Sequence, residues 1–192
     1  MSQHKCGWCL GDTLYENYHD NEWGVPVNND RTFFEFIVLE SFQAGLSWIT
    51  VLRKRENFKQ AFDAFDYRKI TNYDDKKIDE LLQNEGIIRH KLKVQSAVTN
   101  AQAFINIQEE FGSFSDYIWA FVDGKAQQHE VKNYKNAPSI TPESEALSKD
   151  LKKRGFKFMG PTVAYALMQA MGLVNDHELS CFRYAEVKQQ VQ

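Results

Sequence analysis

Apolar residues in this chain recur at spacings of three and four, and the Val, Ile and Thr alternation that a half-buried strand requires is nearly absent. A chain patterned in this way is restricted to packed helices, so an all-α fold of about nine helices is expected. Local punctuation agrees. Asp12 or Thr13 can cap a short helix carrying Tyr18 and His19, and Gly24-Val25-Pro26 ends it. Asn28-Asn29-Asp30 opens a second helix that Gly45 stops, and Ser47 caps a third carrying Trp48, Val51 and Leu52. Thr141-Pro142 is a cap followed by proline at the first helical position, in a helix that ends at Gly155. A further helix runs from Pro161 to Gly172, and Asn175 is expected to cap the last. Asp123 to Thr141 is polar and unpatterned and reads as a long surface loop.

The second of these helices holds an anomaly. Counted at 100° per residue, Phe33, Ile37, Glu40 and Ala44 fall within about 60° of one another, so the one carboxylate of that apolar face sits at its centre. Burying a carboxylate costs several kcal/mol unless something pairs with it. Arg53 and Arg55 are near enough in sequence to supply a structural pair. The alternative is a carboxylate aimed into an aromatic pocket, because Tyr18, Trp23 and Trp48 lie within the same short stretch.

Two further patterns carry chemistry. Ile78 to Ala101 reads as helix, glycine-containing hairpin (Glu85-Gly86-Ile87-Ile88), then a long helix from about Arg89 to Phe111. The hairpin's backbone N–H groups and the N-terminus of the following helix can bind a phosphate without reading a base, with Arg89, His90, Lys91 and Lys93 adding positive charge. A second basic cluster, Lys149, Lys152, Lys153, Arg154 and Lys157, reads as a solvated helix face. His177-x3-Cys181 places two ligand types at i and i+4, and Cys6 and His19 at the other end complete a Cys2His2 set, with Cys9 and His4 as rival ligands. Four protein ligands leave no open coordination position, so such a metal would join the chain's ends rather than activate water.

Composition narrows the class. The net charge of −3 argues against a strongly electrostatic nucleic-acid binder while allowing a local basic patch. No apolar run is long enough for a transmembrane helix, and Met1-Ser2-Gln3-His4-Lys5-Cys6 lacks the apolar core of a signal peptide, so no membrane association is expected. The three cysteines, an odd number, suit a reducing cytoplasm.

Long motifs of the chain resemble the 3-methyladenine DNA glycosylase I family of the helix-hairpin-helix glycosylases. They are Cys6-Gly7-Trp8, Tyr18 through Pro26, Gln43 through Leu52, Lys54 through Asn57, Gly86 through His90, Ser148 through Gly160 and Gly172 through His177. The resemblance covers about Cys6 to Cys181. It implies one glycosylase domain over 1–192, a helix-hairpin-helix element at about 74–106, and a terminal lobe from 1–24 and 173–185 holding Zn2+ on Cys6, His19, His177 and Cys181. It implies a base pocket of Glu40, Tyr18, Trp48 and Trp23 with Trp8 close by. Gly45 and Leu46 would fill the gap left by a flipped nucleotide, and Gly86, Ile87 and Arg89 would meet DNA.

The implied activity is hydrolytic excision of N3-methyladenine from double-stranded DNA by a monomer. The Schiff-base lysine, and the aspartate that follows the hairpin in related glycosylases, are both missing from this family. Two positions depart from the family pattern. Ser41-Phe42 follows Glu40 where glycine and a polar residue are expected, and Ala166 stands where a small hydroxyl residue is expected near the pocket. Two rivals remain at this stage: a metal-dependent hydrolase using His19 and His177, and a DNA-binding module that recognises damage without excising it.

Overall fold

In a computed structural model, the structure describes residues 4–43 and 45–190. Ala44, placed by periodicity on the Glu40 face, lies outside the described residues. Ten α-helices occur among them. In order they are α1 (Thr13–Asn21), α2 (Asp30–Gln43), α3 (Trp48–Ala61), α4 (Tyr67–Ile70), α5 (Asp75–Gln83), α6 (Lys91–Phe111), α7 (Phe114–Trp119), α8 (Pro142–Lys153), α9 (Pro161–Ala170) and α10 (Phe182–Gln190). Polar caps set most starts. Asp12 accepts from the Tyr15 N–H, Asn29 from Thr32, Asp74 from Lys77 and Ser113 from Asp116, each satisfying a donor the helix leaves free. Thr141 and Ser144 exchange bonds in a reciprocal capping arrangement ahead of Pro142. Thr141→Ala is expected to cost about 1 kcal/mol and about 2–4 °C of melting temperature, measurable by calorimetry.

Helix α2 is the axis of the fold. It packs against α3, α6, α7 and α9, and every residue from Phe33 to Phe42 except Glu35 is buried. A helix with neighbours on all sides needs no polar face, so its burial is broader than the single apolar stripe that periodicity suggests. Stacked and edge-on rings of Phe34, Phe104 and Phe114 fill the space towards α6 and α7. Ser41 and Phe42 belong to this core: the Ser41 hydroxyl donates to the Val38 carbonyl, and Phe42 packs on Phe58 and Phe62.

Three expectations are corrected. The segment 123–141 is no simple surface loop. It carries strand β1 (Gln127–Gln128), which pairs in parallel with β2 (Val174–Asn175), Gln127 opposite Val174, and it is bonded again where Leu179 donates to Val131. Strand pairing of so few residues leaves no alternating signature. His177 and Cys181 do not lie on a helix. Their segment is irregular, the last helix starts at Phe182, and Asn175 instead accepts from the His177 N–H in a local turn. Lys93 points inward rather than to solvent: it is 5% exposed and its ammonium donates to the Phe42 carbonyl at 2.9 Å, tying the end of α2 to the hairpin helix α6.

Candidate active site and metal cluster

A cavity of about 210 Å³ opens between α1, α2, α3, α9 and the segment 123–141. Its lining brings together all five aromatic and acidic residues singled out from the sequence: Trp8, Tyr18, Trp23, Glu40 and Trp48. Tyr18 and Trp48 both lie against Phe36, with ring centroids 6.3 and 5.9 Å away. Trp8 meets Trp23 edge-on at 4.9 Å. The walls are therefore faces and edges of rings fixed by packing.

Glu40 has no ionic partner among the described residues. Arg55 is committed to Glu35 and Glu22 at 2.6 Å each, and Arg53 pairs with Asp12. The structural pair that sequence proximity allowed is absent there. Glu40 is 4% exposed, its Oε2 is buried without a hydrogen-bond partner, and burial raises its pKa from 4.5 to about 8. The Trp48 indole N–H, in the same cavity, is also buried and unpartnered. An orphaned acceptor and an orphaned donor beside one cavity are groups that a ligand could satisfy. Burial likewise pushes the Tyr18 phenol well above its ordinary range, so it is a neutral O–H.

Sequence reasoning missed Tyr15, Gln43, Tyr134, Gln169 and Asp176, which also line the cavity. Tyr15 could have been found, since it precedes Tyr18 by three residues on α1. Tyr134 and Ala137 could not, because they arrive on the 123–141 segment. Ala166 does line the cavity, whereas the Ser41-Phe42 departure turns away from it.

Behind Trp8 and Trp23 lies the Cys and His cluster. Cys6, His19, His177 and Cys181 are all buried, and their ligand atoms lie within 4.8 Å of one another. The Cys6 and Cys181 sulfurs sit 3.6 and 3.9 Å from His177 Nδ1, and Cys181 is 3.5 Å from His19 Nε2. Sulfur and nitrogen ligands of a tetrahedral zinc are about 3.6 Å apart.

The remaining ring nitrogens are also assigned. His19 Nδ1 faces Asp20 at 2.8 Å, and His177 Nε2 faces the Trp23 carbonyl at 3.0 Å. These partners fix the tautomers that turn His19 Nε2 and His177 Nδ1 inward as acceptors. Burial lowers the pKa of His177, favouring the neutral ring that a metal needs. The rival ligands fall away: Cys9 donates its thiol to the Cys6 carbonyl, and His4 is exposed. These four residues could hold a metal ion.

At the hairpin between α5 and α6 the free backbone donors differ from those expected. The Gly86 N–H is taken by Asn84 Oδ1 at 2.8 Å, and that of Ile87 by the Asn84 carbonyl at 3.4 Å. The buried Ile87 anchors the turn. The N–H groups of Ile88, Arg89, Lys91 and Leu92 have no acceptor among the described residues. Arg89, half-exposed, lies 3.8 Å from Glu85. Gly45 has a φ of +83° that glycine alone adopts without strain, and it sets Leu46 outward, 41% exposed, beside the cavity-lining Gln43 and Trp48.

Comparison with known proteins gives one consistent picture. A model of a family described as methyladenine glycosylase matches residues 8–184. The chain is 47% identical over 180 residues to the DNA-3-methyladenine glycosylase 1 of Escherichia coli K12, covering 94% of this chain and 96% of that protein. Among solved structures, a 3-methyladenine DNA glycosylase I superposes with a TM-score of 0.91 at 50% identity, covering 93% of this chain and 98% of the other. The Staphylococcus aureus enzyme, whose structure describes recognition of 3-methyladenine, does so with a TM-score of 0.90 at 34% identity, covering 95% and 97%.

Proposed function

This chain belongs to the methyladenine glycosylase family, and from that membership and the cavity we propose that Glu40, Tyr18, Trp48, Trp23 and Trp8 receive a flipped N3-methyladenine. The enzyme excises 3-methyladenine from alkylated DNA. Methylation at N3 leaves positive charge on the base and weakens its bond to deoxyribose, because the base departs as a neutral molecule. The leaving group needs little acid help, so the protein's task is extraction and selection. The observation that carries the reading is the buried, unpartnered Glu40 among rings.

Selection follows from charge and shape. A cationic ring over Trp48 gains roughly 0.5–2 kcal/mol from the indole quadrupole, which a neutral adenine does not. Glu40 supplies the counter-charge and an acceptor for the adenine edge. Extrusion of a damaged base costs a few kcal/mol. Leu46, carried outward by Gly45, is suited to wedge into the space left behind. On double-stranded DNA, the helix-hairpin-helix element at about 74–106 would hold backbone phosphate on the N–H groups of Ile88, Arg89, Lys91 and Leu92, with Gly86 and Ile87 giving the turn its shape. The three free cysteines suit a reducing cytoplasm.

The cluster of Cys6, His19, His177 and Cys181 fits a structural Zn2+, which would supply cross-linking of the terminal lobe with no vacant position for water. Water is the nucleophile for the sugar, since no lysine amine is among the residues lining the cavity. Incubation with methylated DNA is expected to release free 3-methyladenine. Borohydride added during turnover is expected to trap no enzyme–DNA adduct. Tight binding of lesion DNA without released base would reduce the protein to a damage-recognition module.

A further inference from the structure

Asp176 is 3% exposed, lines the cavity, and is assigned no part in the mechanism above. Three side chains converge on it. Tyr165 donates to Oδ2 at 2.6 Å, the Gln169 amide nitrogen to the same oxygen at 2.7 Å, and His129 faces Oδ1 at 2.6 Å. Tyr165 and Gln169 are one helical turn apart on α9, with the cavity-lining Ala166 between them. His129 comes from the 123–141 segment, where its own N–H donates to the Asn175 carbonyl.

The consequence falls on Gln169. A carboxylate only accepts, so the atom that Gln169 turns towards Asp176 must be its nitrogen, and the amide cannot flip without losing that bond. Its carbonyl oxygen is left with no donor among the described residues, on a half-buried side chain that lines the cavity. Gln43, the other amide at the cavity, has no such anchor among the described residues and can present either end. Ala166 offers nothing polar, so α9 presents one polar side chain to a bound base, and that group is an acceptor.

We propose that Gln169 is a specificity residue, oriented by Asp176, whose carbonyl oxygen favours a flipped purine bearing an amine at C6 over one bearing a carbonyl there. The inference rests on the cavity being the base pocket and deepens that reading. At C6 adenine offers an N–H donor and guanine offers an oxygen. Against a fixed acceptor the first forms a hydrogen bond, and the second leaves two acceptors facing each other in a desolvated site. Asp176 acts through Gln169 and is a positioning residue.

The test measures 3-methyladenine and 3-methylguanine released from one preparation of methylated DNA by one protein sample, so the ratio is unaffected by the fraction of folded enzyme. In Gln169→Met, and in Gln169→Ala as a smaller second variant, the ratio of kcat/KM values for adenine over guanine is expected to fall about tenfold, the worth of one hydrogen bond. Asp176→Asn allows the amide to turn over and is expected to lower the same ratio with metal content unchanged. A merely structural Asp176 would lower both activities together. An unchanged ratio in both Gln169 variants overturns the proposal while leaving the excision reading intact. A wild-type protein that releases neither base overturns both.

Discussion

Glu40→Gln is expected to lower kcat/KM for 3-methyladenine excision about tenfold to a hundredfold, the worth of one hydrogen bond to a charged group lost from the bound base, while making the folded protein more stable. Binding of the methylated base is expected to weaken alongside turnover, because the carboxylate's chief task is recognition. Lost turnover with undiminished base binding would instead assign Glu40 to activating water. The stability effect follows from linkage. The Glu40 carboxyl titrates near 4.5 when exposed and about 8 when buried. Between these values the unfolded chain binds fewer protons than the native state, so stability falls as pH rises from about 4.5 to about 8, and is constant on either side. At pH 7 the buried acid costs roughly 3 kcal/mol. Glutamine cannot ionise, so the variant's melting temperature at pH 7 is expected to rise by about 5–10 °C, with little difference at pH 4.

The same ionisation shapes the rate. A cationic base needs Glu40 as carboxylate, yet the empty pocket holds it protonated below about pH 8. Wild-type kcat/KM is expected to climb with pH and level off near 8. A flat profile between pH 6 and 9 would contradict a proton leaving Glu40 as the base enters.

On the proposal that the four-residue cluster holds zinc, Cys181→Ser is expected to lower metal content and stability together. Removing one of four ligands dismantles a site of buried thiols and imidazoles, and a loss of several kcal/mol corresponds to a fall of about 10 °C or more for a chain of this size. Excision is expected to fall as well, because Trp23 meets the His177 ring at 4.7 Å and Trp8 meets His19 at 5.3 Å, so the cluster supports one wall of the cavity. Cys9→Ser is the control, since its thiol is turned to the Cys6 carbonyl. Full metal content in Cys181→Ser would remove Cys181 from the ligand set.

Features governed by neighbours in sequence were legible before the structure. The caps at Asp12 and Thr141 follow from side chains within three residues of the backbone they satisfy, whereas Ser47 stands at the start of the helix bearing Trp48 but turns its hydroxyl to that of Thr50 rather than to a backbone N–H. The acidic and aromatic pocket was legible because a lone carboxylate at the centre of an apolar helix face has few uses. Features set by distant backbone were not. The path of residues 123–141 depends on pairing with 173–179, and so does the arrival of Tyr134 at the cavity. The i and i+4 spacing of His177 and Cys181 suggested a helix, but Asn175 bonds the His177 N–H and holds the segment in a turn. At the hairpin, glycine marked the bend, while Asn84 decided which N–H groups stay free.

The cavity takes Trp8 from the beginning of the chain and Gln169 and Asp176 from near its end, with Cys6 and Cys181 meeting behind it. During synthesis on the ribosome, the early helices can gather around α2 long before the last segment emerges. The pocket cannot be complete until the segment carrying Gln169 and Asp176 is in place. A chain that lacks residues 169–181 is therefore expected to release no base, because part of the cavity wall and two of the four cluster residues are missing.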